Sequence, residues 1–364
     1  MTKTLFVLGA GFTKAFINEA FLSVDEGHVT EDLIRKYPKT THPYAYAILK
    51  DEIARKVNIE RLMTRLHNFM PHDFERKCTQ ELEHLSHDIK NLFTARLQKL
   101  KDDRTELPDN LMHFAKWCIN NKADCISFNY DDFLDHALWT PQQLRNYDPW
   151  CFNPLWHPNN GYGFFCRPAN SCIRDRSPFM APSSMLLLKL HGSINWRIKL
   201  GASTPYQLDS IVHFEKWIPP LATKDDAPTE YDDPAQIEKH LNPERLLVLP
   251  VLQKTDIVQQ PIFRRIWSEA FDRLSQADRV IFIGYSMPLT DIATGFLLRE
   301  ALNSNQTITV VDLVDPSLTE SERLRHSLVS AYQAVIPALT EDNFYFGGAI
   351  KWIATNLPAP VAER

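Results

Sequence analysis

Six short, largely apolar runs punctuate this chain: Leu5–Leu8, Cys125–Phe128, Met185–Leu190, Leu246–Leu249, Arg279–Ile283 and Thr307–Leu313. Unbroken apolar runs of this length suit strands buried on both faces of a parallel sheet. Between them, apolar residues recur every three or four positions, which predicts helices. The helical stretches are Phe12–Phe21, Leu107–Asn120, a segment from Asp131 or Asp132 to Trp139, Ile257–Leu274, Ile292–Leu302 and Leu318–Gln333. Strands alternating with helices predict an α/β fold, a doubly wound, Rossmann-like parallel sheet of about six strands. Right-handed crossovers would place the C-terminal ends of all six strands on one rim.

Three stretches depart from this rhythm. From Tyr44 to Leu100 the apolar spacing stays helical, glycine is absent, and Pro71 is the only interruption. That predicts an all-helical insertion of two to four helices over residues 44–105, set into an α/β domain of residues 1–43 and 106–364. Its apolar stripes could serve an oligomer contact. His84 and His87 lie three apart on this insertion beside Glu81, Glu83 and Asp88, but a solvated charged face explains them without a metal. The second stretch, Thr140–Ser184, is dense in proline, which excludes regular elements. It is also rich in aromatic residues, which argues against a disordered linker. An ordered loop of this length is usually functional, so a lid over residues 140–184 competes with a tacked-down surface loop. The third, Lys199–Glu244, is loop-like in composition and carries no assigned chemistry.

Composition narrows the class. Length favours two domains or one large domain with an insertion, and 44% apolar with 23% charged residues is ordinary for a globular protein. A net charge of −5 gives no electrostatic case for direct nucleic-acid binding. The six cysteines form no C-x-x-C pair, so neither a zinc ribbon nor a secreted disulfide framework is expected. No apolar run reaches the eighteen or so residues of a spanning helix, and the N-terminal run is too short for a signal peptide. The expectation is a cytoplasmic protein with free thiols and no membrane span.

The rim gathers the candidate chemistry. Gly9-Ala10-Gly11 follows the first strand and opens a helix, a geometry that lets backbone N–H groups approach a diphosphate. Lys14 stands where the dinucleotide fingerprint has its third glycine, so a plain tight turn explains the motif equally well. Asn129 ends the second strand, where its amide can orient a ligand or merely shape the corner as an Asx-turn. His191 ends the third, followed by Gly192 and Ser193. Histidine suits general-base work near neutral pH, although a lone histidine after an apolar strand is more often structural. Gly284-Tyr285-Ser286, Asp291 and Asp315 follow later strands onto the same rim.

In this order the motifs resemble the sirtuin-like family, and more closely its bacterial NAD-hydrolysing branch than the protein deacylases. Gly9-Ala10-Gly11-Phe12-Thr13 is similar to the family's G-A-G-x-S/T. Ser127-Phe128-Asn129-Tyr130-Asp131 is similar to the T-x-N-Y-D of the hydrolases, and Leu190-His191-Gly192-Ser193 to L-H-G-S. Gly284 and Ser286, followed by Asp291, resemble the later nucleotide-contacting turn, and Asp315-Pro316 the last one. Phe128 stands where deacylases carry glutamine, and neither their P-D-F-R segment nor their zinc-binding cysteines are present.

The resemblance implies NAD+ as substrate, cleaved at the nicotinamide N-glycosidic bond, with no metal. Asn129 and His191 would be catalytic. Gly9, Ala10, Gly11, Phe12, Thr13, Asp131, Gly192, Ser193, Gly284, Ser286, Asp291 and Asp315 would bind the nucleotide. Asp131 either holds the nicotinamide amide or caps its helix, and both readings stand. Family habit further implies a toxic effector of antiphage defence, activated by homo-oligomerisation or by a partner such as a DNA-translocating ATPase or an Argonaute-like protein. The rival is a module that senses NAD or ADP-ribose without turnover; a deacylase is disfavoured.

Overall fold

The computed structural model describes residues 2–20, 33–55, 59–67, 79–104, 106–139, 156–169, 183–202, 207–214, 233–248, 260–288 and 291–358. Its strands are β1 (Thr4–Leu8), β2 (Asp124–Ser127), β3 (Arg167–Pro168), β4 (Leu187–Lys189), β5 (Gly192–Lys199), β6 (Ile211–His213), β7 (Leu241–Leu247), β8 (Arg279–Ile283), β9 (Thr307–Val311) and β10 (Phe344–Tyr345). The helices used below are α1 (Ala10–Phe16), α2 (Pro43–Arg55), α3 (Ile59–His67), α4 (Thr79–Asp102), α5 (Asp109–Asn121), α6 (Phe133–Trp139), α7 (Pro234–Glu238), α8 (Pro261–Gln276), α9 (Ile292–Ala301), α10 (Ser321–Val335) and α11 (Ala349–Asn356).

Six strands form an all-parallel sheet in the order β10-β9-β8-β1-β2-β4. Leu5, Phe6, Val7 and Leu8 are all buried, as a strand covered on both faces requires. Phe6 meets Phe114 and Trp117 of α5 edge-on, and Phe282 of β8 meets Tyr332 of α10 in the same way. Leu8 lies opposite both Ser127 and Ile283, and Ser127 opposite Lys189. The C-terminal ends of β8, β1, β2 and β4 are therefore level. The chain runs from β1 outward through β2 to β4, then returns to β8 on the other side of β1. That reversal is a topological switch point, the place where ligands enter open α/β sheets.

The structure corrects the expected strand inventory. Leu246 and Leu247 do not join the parallel sheet. They belong to β7, which pairs antiparallel with β5 in a second sheet of order β3-β6-β5-β7. The physical cause lies at Gly192, where the chain leaves β4 with φ +81°; a Cβ there would sit 2.1 Å from the Leu246 carbonyl oxygen. The backbone of β7 is thus seated against the turn after His191. The sixth parallel strand is instead β10, a pair of residues with no apolar run to announce it. The stretch Lys199–Glu244, expected as loop, contains β6, the single-turn α7 and the start of β7. The first helix is also shorter than expected, closing at Phe16.

Between β1 and α5 lie α2, α3 and α4, with a core of their own that includes Leu33, Tyr37, Leu49, Leu62, Met63, Leu82, Leu85 and Ile89. The C-terminal half of α4 leaves that core. Its Phe93 and Leu97 pack with Ile194 of β5 and with Tyr130, and Lys101 lies 2.6 Å from the buried Asp132 carboxylate. Of the Pro- and aromatic-rich stretch, residues 156–169 and 183–184 are described. Trp156, Tyr162 and Phe164 are buried there, and the last two meet Trp196 edge-on. Residues 140–155 and 170–182, on which most of the lid reading falls, lie outside the described residues, as does Thr290 beside Asp291.

Candidate functional site

The turns after β1 and β8 interlock through three glycines. Gly9 donates its N–H to the Ile283 carbonyl at 3.1 Å, and Gly11 donates to the Gly284 carbonyl at 2.9 Å. A Cβ on Gly9 would lie 2.5 Å from the Gly284 oxygen, and one on Gly284 would lie 2.2 Å from the Phe12 nitrogen. Only glycine tolerates such contact, and Gly284 also holds φ +60°. Phe12 N–H is donated to the Gly9 carbonyl. Three of the N–H groups expected to face a diphosphate are therefore committed within the protein. Ala10 is exposed, whereas Phe12 and Thr13 are buried.

Asn129 stands two residues beyond the end of β2, with its amide nitrogen fully engaged. Nδ2 donates to the Gly9 carbonyl at 2.9 Å and to Thr13 Oγ1 at 3.0 Å. An amide nitrogen carries two hydrogens, so Oδ1, an acceptor, is the end left for a ligand. Thr13 passes the chain of bonds on, donating its hydroxyl to Asp131 Oδ2 at 2.8 Å. Asp131 Oδ1 accepts the Phe133 N–H at 3.3 Å and so caps α6. Burial pushes the Asp131 carboxyl above its ordinary range, opposed by Lys189, Thr13 and the Phe133 amide.

Lys189 is the charged residue in the otherwise apolar run that forms β4. It is buried, donates to the Asp131 backbone carbonyl, and lies 3.1 Å from Asp135 Oδ2. Asp135 also accepts the Tyr162 hydroxyl at 2.6 Å, and Tyr162 in turn accepts from Asn195 of β5 at 3.0 Å. This network ties the Asn129 loop to the second sheet. It was missed in the sequence, although a lysine inside Met185–Leu190 was signal enough: a buried ammonium requires a partner.

His191 sits where the chain passes from β4 to β5. Its carbonyl accepts the Val248 N–H at 2.8 Å, which pins the turn to the chain end of β7. Its ring is 5.2 Å from the Phe128 ring and 6.1 Å from the Tyr130 ring, centre to centre. The residues on either side of Asn129 thus both meet His191. Phe128 also stacks on Tyr285 at 4.4 Å, which closes the circle between the β2, β4 and β8 turns. On another side, Nε2 of His191 is 3.3 Å from Asp291 Oδ2, and both side chains are buried.

The other expected residues spread further. Gly192 is the turn already described. Ser193 is fully buried, and its hydroxyl has no hydrogen-bond partner among the described residues. Ser286 is exposed on the same turn as Gly284. Asp315 is exposed; it accepts from the Ser317 amide and hydroxyl, and these bonds hold its carboxyl below the usual range. Among the described residues no group of three or more His, Cys, Asp or Glu is arranged to hold a metal ion, and no helix is long and apolar enough to cross a membrane.

No family model matches the chain, and no curated protein matches it in sequence. Among solved structures it is similar to a mutant Sir2 homologue in complex with ADP-ribose, at 12% identity and a TM-score of 0.35, over 93% of this chain and 96% of that one. It is also similar to a mutant Sir2 homologue with 2′-O-acetyl ADP-ribose, at 13% identity and a TM-score of 0.38, over 93% and 96%. A third is a Sir2 homologue in complex with NAD, at 13% identity and a TM-score of 0.34, over 92% and 91%. Superpositions this loose carry no weight for the site, which rests on the chain's own geometry.

Proposed function

We propose that this chain uses NAD+ and hydrolyses its nicotinamide N-glycosidic bond, giving nicotinamide and ADP-ribose. The observation that carries the reading is that Phe128 and Tyr130, the residues on either side of Asn129, both lie against the His191 imidazole at the C-terminal rim of the parallel sheet. Nicotinamide leaves as a neutral ring from a cationic bond, so no strong acid is needed at the leaving group. The remaining tasks are to orient a nucleophile and to take its proton. Asn129 Oδ1 accepts a hydrogen bond from the water or from a ribose hydroxyl. The water oxygen bonds to the ribose C1′, and His191 takes the released proton as general base.

Because the N–H groups of Gly9, Gly11 and Phe12 are already donated, a diphosphate would have to displace those bonds or be held elsewhere along the rim. Asp131 is equally engaged, with Thr13 and the α6 amide, which favours capping over contact with the nicotinamide amide. Toxic effector action in antiphage defence, triggered by assembly or a partner, belongs to the proposal on the strength of motif resemblance alone.

The test is nicotinamide release from NAD+ by the purified protein across a range of protein concentrations. Asn129→Ala and His191→Ala should each lower the rate at least about 100-fold, the scale of lost positioning or general-base action. Wild-type rates in either variant would sink the assignment. Tight NAD+ retention without release, including after oligomerisation, would favour the sensor reading.

A further inference from the structure

We propose that Asp291 is a positioning residue for His191, holding the imidazole by Nε2 so that Nδ1 is the nitrogen that takes the proton. This deepens the hydrolase reading and rests on it for its catalytic consequence, though not for its geometry. Asp291 stands at the N-cap of α9, where an aspartate ordinarily accepts from the first helical amides. Here its side chain makes no capping bond to its own helix. Instead its Oδ2 lies 3.3 Å from Nε2 of His191, within ion-pair distance though not in the alignment of a formed hydrogen bond, with side-chain exposures of 2% and 7%.

The backbone is arranged to deliver it. Gly284 and Met287 both hold positive φ, +60° and +51°, in the turn that leads to Asp291. A non-glycine residue in that region costs about 1 kcal/mol or more, and such strain persists where the surroundings impose it. The Asp291 amide is then fixed to the Pro288 carbonyl at 3.0 Å. The histidine is fixed from its own side by the Val248 amide on its carbonyl. Both partners are therefore placed by backbone rather than by each other.

A carboxylate beside one ring nitrogen settles which nitrogen carries the hydrogen. On this proposal the hydrogen is carried by Nε2, the ring nitrogen beside Asp291, which leaves the lone pair on Nδ1. When Nδ1 takes a proton from the water or a ribose hydroxyl, the imidazolium forms against the Asp291 carboxylate in a buried setting, where opposite charge favours it most. The other ionisable group in ring contact among the described residues is Tyr130, whose hydroxyl is donated to the Val248 carbonyl at 2.6 Å. On this proposal Asp291 acts through His191, whereas the motif resemblance gave it nucleotide contact.

The experiment is nitrogen NMR of the full chain with labelled histidine, the His191 signals being those lost in His191→Gln. Wild type should show the Nε2–H tautomer near neutral pH without any substrate. In Asp291→Asn the His191 titration midpoint should fall by about one pH unit. In the release assay the acidic limb of the kcat/KM profile should move down with it, while KM for NAD+ stays within about twofold. An Nδ1–H tautomer in wild type overturns the proposal without recourse to a variant, and so does an unmoved midpoint in Asp291→Asn. A protein that releases no nicotinamide yet shows the coupled tautomer would contradict the hydrolase reading and leave the pairing standing.

Discussion

The two sheets are held by different physics. In the parallel sheet, the inward residues of β1 and β8 are hydrocarbon: Leu5, Phe6, Val7, Leu8, Val280, Ile281, Phe282 and Ile283 are all buried. In the second sheet, Asn195, Arg197 and His213 are buried as well and each makes a polar contact, although the Ser193 hydroxyl of β5 is buried with no hydrogen-bond partner among the described residues. Asn195 meets the Tyr162 hydroxyl, Arg197 donates twice to the Asn242 carbonyl, and His213 lies 2.6 Å from Asn159 Oδ1. Hydrocarbon contacts are interchangeable and lose strength in proportion to volume removed. Matched polar groups fail abruptly, because the survivor of a broken pair stays buried without compensation. The site lies on the seam between these regimes: Asn129 belongs to the first sheet, and His191 begins the crossing to the second.

The sharpest way to break the comparison is at Lys189 and Asp135, the pair that joins the two sheets. Asp135→Leu should destabilise the protein by about 3–5 kcal/mol, since it leaves the Lys189 ammonium buried without its carboxylate. Urea unfolding should show this as a lowered midpoint. Adding Lys189→Met should recover most of the loss, because an apolar pair of similar volume replaces both charges. If the double variant is no better than the single one, the seam is not held by charge matching. A smaller effect is expected inside the parallel sheet. Ile281→Val removes one methylene from a fully buried side chain and should cost about 0.5–1.5 kcal/mol by the same measurement. A loss there as large as that of Asp135→Leu would erase the distinction between the sheets.

The same contrast explains what could be read from the chain. The strands β1, β2, β4, β8 and β9 are announced by apolar runs, and strand-to-helix alternation gives their parallel arrangement. The motif residues Gly9, Asn129, His191 and Gly284 follow from those strand ends without any coordinates. The second sheet is legible only in part. Its β5, Gly192–Lys199, does alternate, with Ser193, Asn195 and Arg197 between Ile194, Trp196 and Ile198, a period-two signal that a reading for unbroken apolar runs passes over, whereas β7 contains Pro243 and Glu244 and shows no period. Their partners are 33 to 54 residues away in sequence, which spacing rules do not reach. The Asp291 pairing was hidden for another reason. An acidic residue one position before a helix looks like a cap, and no sequence pattern tells that this one makes no capping bond and lies beside His191 instead.

The last and smallest effect separates a matched acid from an unmatched one. Asp312 follows β9 directly and is partly buried. Burial pushes its carboxyl upward, opposed by one bond from the Leu313 amide at 2.7 Å and by no cation. Because the folded carboxyl holds its proton more tightly than the unfolded one, its contribution to stability is full below about pH 3.9 and is lost as pH rises through the folded value. Asp312→Asn keeps the acceptor for the Leu313 amide and removes the ionisation. The difference in unfolding midpoint between variant and wild type should therefore be least below pH 4 and grow in the variant's favour toward neutrality. Asp135 is raised by burial too, but Lys189 opposes it directly, so its charge is answered where that of Asp312 is not. A flat difference across the range, or one that grows in wild type's favour, would show that Asp312 ionises at no cost. The parallel sheet would then tolerate a buried charge at its rim as readily as the second sheet does in its interior.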